Sequence, residues 1–134
     1  MTRHLTVADV TALARIAFGG RAPEALDPGL LASAVHRPRA RMFGTAAYDD
    51  LYEQVAALLD ALATNHPLVD GNKRTGNKST GNKRTTWLAA ATFLAVNGVD
   101  LAACDQDAAY DLVVDVASGV EGDVRRIAGR LREL

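Results

Sequence analysis

Hydrophobic positions recur at helical spacing along almost the whole chain. Leu51, Val55, Leu58, Leu59 and Leu62 fall at i, i+4, i+7, i+8 and i+11, a continuous stripe that predicts a helix of about four turns ending near Asn65. Upstream, Thr6 is placed to cap a helix carrying Val7, Val10, Leu13, Ala14 and Ala17 on one face, and Gly19-Gly20 ends it. Asp27-Pro28 is a cap followed by proline at the first helical position. Leu30, Leu31, Ala34 and Val35 then form a second short helix that Pro38 stops. Downstream, Trp87, Leu88, Ala91, Leu94 and Ala95 predict a buried helix, apolar nearly all round and therefore central, closed by a left-handed cap at Asn97-Gly98. Tyr110, Val113, Val114 and Ala117 predict a fifth helix ending at Gly119, and Val124, Ile127, Ala128 and Leu131 a sixth. No stretch sustains the period-two alternation of a strand.

Composition agrees with this all-α reading. Of the 134 residues 49% are hydrophobic but only 5% aromatic, so the core must be built from Ala, Leu and Val, which suit close helix packing. The length holds one domain, residues 1–134, and leaves no room for a second catalytic one. Fifteen basic and sixteen acidic residues give a net charge of -1, so there is no global field to hold nucleic acid and any anion site must be local. The single cysteine, Cys104, cannot form an internal disulfide, and the first residues lack a secretory pattern, which points to the cytoplasm. The longest apolar run, Trp87 to Val96, is about half the length of a membrane span, so no membrane role is expected.

Two segments break the helical pattern. From Arg37 to Ala47, Arg37, Pro38, Arg39, Arg41 and Gly44 surround Met42-Phe43, which predicts an exposed basic loop or flap. Between the two best helices lies His66-Pro67-Leu68-Val69-Asp70-Gly71-Asn72-Lys73-Arg74-Thr75, where complementary polar groups crowd into ten positions. His66 offers a base near neutral pH, able to take the proton of an attacking hydroxyl. Asp70 offers an oxygen ligand to Mg²⁺, which binds through one or two carboxylates plus substrate phosphates. Gly71 lets backbone approach a phosphate, and amides at a following helix start would point at it. Lys73 and Arg74 place positive charge where transferring phosphoryl oxygens gain negative charge. His4 and His36, alone in their surroundings, are assigned as solvated or capping residues.

The segment from His66 to Thr75 resembles the signature of the Doc (death-on-curing) branch of the Fic/Doc family, in which His, Asp or Asn, and Asn-Lys-Arg follow at this spacing. Asp27-Pro28-Gly29-Leu30-Leu31, the arginine-rich flap before Tyr48, and Ala90 to Gly98 resemble its flanking parts, so that the likeness spans roughly residues 5–130. The resemblance implies a compact six-helix Fic/Doc bundle whose active-site loop leads into the central helix. It also implies transfer of a phosphate-containing group from ATP to a protein hydroxyl. Members that transfer AMP carry Gly where Lys73 stands, whereas Doc-like toxins carry Lys and act as kinases on a threonine of elongation factor Tu. The resemblance therefore makes His66 the catalytic base, Asp70 the residue organising Mg²⁺ and phosphate, and Gly71, Asn72, Lys73 and Arg74 the anion-binding turn. It further implies neutralisation by an antitoxin of the Phd type. Leu68 replaces a Phe common in the family.

One departure from that signature is large. Gly71-Asn-Lys-Arg-Thr75 is followed by Gly76-Asn-Lys-Ser-Thr80 and Gly81-Asn-Lys-Arg-Thr85 before Trp87, so a five-residue unit occurs three times and two units are extra. Continued as helix, ten residues add about 15 Å and turn the Trp87 face by about 80° relative to His66. Gly76 and Gly81 would each cost about 1 kcal/mol there relative to Ala. A looped excursion is the expectation. Contiguity with His66 and Asp70 favours the first copy as the anion site; register with Trp87 favours the third, Asn82, Lys83 and Arg84. Two alternatives to the kinase stand beside it: AMP transfer by the same site, and a partner-binding module made inactive by the repeat.

Overall fold

Thr6 caps the first helix reciprocally: its Oγ1 accepts from the Asp9 amide at 3.1 Å and its own amide donates to the Asp9 carboxylate at 2.8 Å. Two of the amides that a helix start orphans are thereby satisfied. In this computed structural model, which describes residues 2–20, 25–65, 68–69 and 77–134, that helix is α1, Val7–Ala17. Asp27 caps α2, Pro28–His36, through the Leu30 amide. A 3₁₀ turn, Arg37–Arg39, leads into a hairpin of β2, Arg41–Met42, and β3, Thr45–Ala46. Then come α3, Leu51–Asn65; β4, Leu68–Val69; α4, Asn77–Val96; α5, Gln106–Ala117; and α6, Val124–Arg132. β1, Ala25–Leu26, pairs with β4. Among the described residues there are six α-helices and only these two-residue strands, an all-α fold.

α3 packs against α2, α4, α5 and α6 and against the 3₁₀ turn. Val55, Leu58, Leu59 and Leu62, the stripe read from the sequence, are buried along it, together with four of its alanines. The alanines matter because a side chain of one carbon lets neighbouring helices approach closely. α4 lies against α3, α1 and α5. Its end is fixed by Asn97, whose amide donates to the carbonyls of Phe93 and Arg3 while its oxygen accepts from the Arg3 amide. Gly98 supplies the positive φ, +93°, that the cap requires.

Two helix faces differ from the periodic reading. α5 buries Ala109, Leu112, Val113 and Val116, whereas Tyr110 is 62% exposed. The two sets share the same spacing but are offset by one residue, about 100° of rotation. The smaller Ala109 fits the close approach to the bundle and the tyrosine does not. Among the described side chains of α4 the buried positions are Thr85, Thr86, Ala89, Ala90, Phe93 and Leu94, while Trp87, Leu88 and Ala91 are half-buried and Ala95 is exposed.

Candidate active site

The described backbone brackets the motif on both sides. α3 ends at Asn65, β4 holds Leu68 opposite Leu26 and Val69 opposite Ala25, and α4 starts at Asn77. The helices on either side of the motif therefore belong to one packed pair. His66, Asp70, Gly71, Asn72, Lys73 and Arg74 themselves lie outside the described residues.

The third copy is described, and it corrects the expectation of a looped excursion. From Asn77 onward the second and third units are helical and run without a break into the Trp87 segment. Once the packed half of α4 is formed, each further residue adds a backbone hydrogen bond without a new nucleation cost. That gain outweighs the helix penalty of Gly81. Among the described side chains of α4, the buried stripe begins inside the third copy, at Thr85 and Thr86. Burying the Thr86 hydroxyl is offset by its hydrogen bond to the Asn82 carbonyl at 2.9 Å. Asn82 and Lys83 are half-buried and Arg84 is exposed. Asn82, Lys83 and Thr86 line a cavity of about 190 Å³ with Ala63 of α3 and Val113, Val114, Ala117 and Ser118 at α5. The copy in register with Trp87 thus presents its amide and its cation to a concavity between three helices.

The predicted flap is a short hairpin. Met42 is exposed and Phe43 fully so at its tip. Phe43 has φ +53° and Gly44 φ +77°, and Arg41 donates to the Gly44 carbonyl. At the root of the flap Arg37 pairs with Asp60 of α3 at 2.7 Å. Burial works against the Arg37 charge, but Asp60 and Tyr48 outweigh it and hold the guanidinium above its ordinary value. Sequence reasoning missed this pair. The available signal was Asp60 itself, an acid set in the apolar run Val55 to Ala63, where a carboxylate needs a partner.

His4 is also not the solvated residue expected. It is half-buried with its ring edge-on to Phe93 at 5.6 Å, and its Nδ1 is buried with no hydrogen-bond partner among the described residues. Burial, with Arg39 and His36 nearby, lowers its pKa from 6.5. Among the described residues no three His, Cys, Asp or Glu side chains are grouped to hold a metal.

A profile described as the Fic/DOC family matches residues 4–77, more than half the chain and the whole of the first copy. The chain belongs to the Fic/DOC family. Within it, the chain is 47% identical over 132 residues to the protein named Toxin Doc of Mycolicibacterium smegmatis, covering 98% of this chain and 92% of that one. It is 35% identical over 137 residues to the protein named Protein kinase doc of Escherichia phage P1, covering 98% and 95%. No helix among the described residues of this Fic/DOC chain is long and apolar enough to cross a membrane.

Proposed function

We propose that this chain is a Doc-like toxin that acts as an ATP-dependent protein kinase, phosphorylating a threonine of elongation factor Tu and so inhibiting translation in the cytoplasm. The observation that carries this reading is end-to-end likeness to a protein named a kinase, in a chain whose motif has Lys73 between His66 and the following helix. In this reading His66 takes the proton from the threonine hydroxyl. The freed oxygen attacks the γ-phosphorus, the bond to the bridging oxygen breaks, and ADP leaves. Asp70 holds Mg²⁺, which supplies charge neutralisation on the phosphates when bound. Gly71, Asn72, Lys73 and Arg74 grip the transferring group. The helical register of α4 supports Asn82, Lys83 and Arg84 as the alternative copy for that grip.

The test is incubation with elongation factor Tu and ATP labelled at either the α or the γ phosphorus. Label from the γ position alone is expected, with His66→Ala and Asp70→Ala each reducing it by about 10²-fold or more. Label from the α position would mean AMP transfer, and no transfer with partner binding intact would mean an inactive module. Growth arrest on expression, relieved by co-expression of a Phd-type antitoxin, tests the toxin half of the reading.

A further inference from the structure

The flap between Arg37 and Tyr48 carries a threonine whose hydroxyl the fold does not use. Elsewhere the described threonine hydroxyls are committed or covered. Thr6 accepts the Asp9 amide in capping α1, and Thr11, Thr64 and Thr86 each donate to the carbonyl one turn back. Thr85 is buried, and Thr92 is half-buried on α4. Thr45 alone among the described threonines is both exposed and in a strand, β3, and its hydroxyl makes no hydrogen bond among the described residues. The hairpin that carries it is fixed at its root on α3. Arg37 pairs there with Asp60, and Gln54 donates to the Tyr48 carbonyl at 3.0 Å. That same helix ends at Asn65, the residue before His66.

A threonine that accepts a phosphoryl group must bring its oxygen to about 3–3.5 Å from the phosphorus, in line with the leaving group. A hydroxyl bonded back to its own helix already donates its proton, and a catalytic base reaches it only by opening that turn. Thr45 meets neither obstacle. Its surroundings also favour the product. From Arg37 to Tyr48 there is no carboxylate, and there are three arginines. Arg41 donates to the carbonyl of Gly44, the residue before Thr45, so its guanidinium already lies next to the position. Arg39 is exposed and in no ion pair among the described residues. A phosphothreonine carries a charge of about -1.5 to -2 and three strong acceptor oxygens. Beside Arg41 it gains charge-assisted hydrogen bonds.

We propose that Thr45 is a self-phosphorylation site, a second protein hydroxyl served by the kinase centre; the inference rests on the kinase reading given above. His66 takes the proton of the Thr45 hydroxyl, and Oγ1 forms a bond to the γ-phosphorus of ATP. The bond from that phosphorus to the bridging oxygen breaks, and ADP leaves with its electron pair. The product pairs with Arg41. It also cancels the charge of Arg39 and Arg41, the two flap arginines that Asp60 does not hold, and so turns a cationic flap into a neutral one.

The purified full chain is incubated with Mg²⁺ and γ-labelled ATP, once alone and once with elongation factor Tu. Label on the chain is expected in both, and mass spectrometry of its peptides should place the phosphate on Thr45. Thr45→Val keeps a branched side chain suited to a strand and removes only the hydroxyl, so it should lose the label with an unchanged circular dichroism spectrum. His66→Ala should lose it too, which excludes a contaminating kinase. The proposal is overturned if the chain stays unlabelled, if the label survives either substitution, or if the phosphate maps to another residue. The mapping needs no variant, so it decides the question even where a substituted chain folds poorly. A labelled factor beside an unlabelled chain overturns this proposal and leaves the kinase reading standing. Label on neither overturns both.

Discussion

Asp60→Asn removes the counter-charge of Arg37 where α3 meets the root of the flap. The pair is 2.7 Å apart, with the Asp60 side chain 13% exposed and the Arg37 side chain 32% exposed. Breaking a fully buried pair costs about 3–5 kcal/mol, and an exposed pair contributes about 0–1 kcal/mol. Arg37 is about a third exposed, so water screens part of the interaction, and Tyr48 still supports the guanidinium. The expected loss is therefore about 1–2 kcal/mol. In a domain of this size that is a fall in Tm of about 5 °C. Urea unfolding followed by circular dichroism measures it, for Asp60→Asn, Arg37→Gln and the double variant. A coupling energy of about 1 kcal/mol is expected from the cycle, with unchanged m-values. Additive single effects, or a cost below about 0.5 kcal/mol for Asp60→Asn, would refute the view that this pair ties the flap to the core.

Three further outcomes follow from the same structure. His4 has a pKa below its unfolded value of 6.5, so the folded state binds fewer protons; stability is fully present above pH 6.5 and falls as pH drops below it. His4→Phe should flatten that part of a pH series of urea midpoints, and an unaltered slope would assign the acid sensitivity elsewhere. Phe93, 1% exposed and among the largest fully buried side chains, should cost about 3–5 kcal/mol when replaced by Ala; a loss below about 1 kcal/mol by urea unfolding would mean that the core refills the space. Deleting residues 71–80, which leaves Asp70 followed by Gly81, keeps every buried position among the described side chains of α4 and should change stability by no more than about 1 kcal/mol. A loss of more than about 2 kcal/mol would show that the extra units pack against the bundle.

Features set by local chemistry were legible in the sequence. Thr6, Asp27 and Asn97-Gly98 each act within one turn, and each caps the helix end it was assigned. The α3 stripe was legible because large aliphatic residues repeat at one angle with little competition. α5 was misread because two equally spaced apolar sets compete, and the choice between Ala109 and Tyr110 depends on how near the bundle lies. The flap was expected as an exposed loop; its strands have two residues each, too short to alternate. The Arg37–Asp60 pair and the cavity between α4 and α5 join residues more than twenty positions apart, so no window of sequence contains them.

The repeat shows how local propensity and register can oppose each other. Glycine every fifth residue argued for a loop, and for the isolated segment that argument is sound. It failed from Asn77 onward because the stripe from Thr85 to Leu94 is anchored by packing, and an anchored helix extends at the cost of one residue at a time. Five residues advance an α-helix by about 500°, so within α4 the second and third units stand about 140° apart around the axis. A site built on one unit is therefore not duplicated by its neighbour. The unit that adjoins the buried stripe is the one that brings Lys83 to α5, because only that unit shares the register of the packed half of the helix.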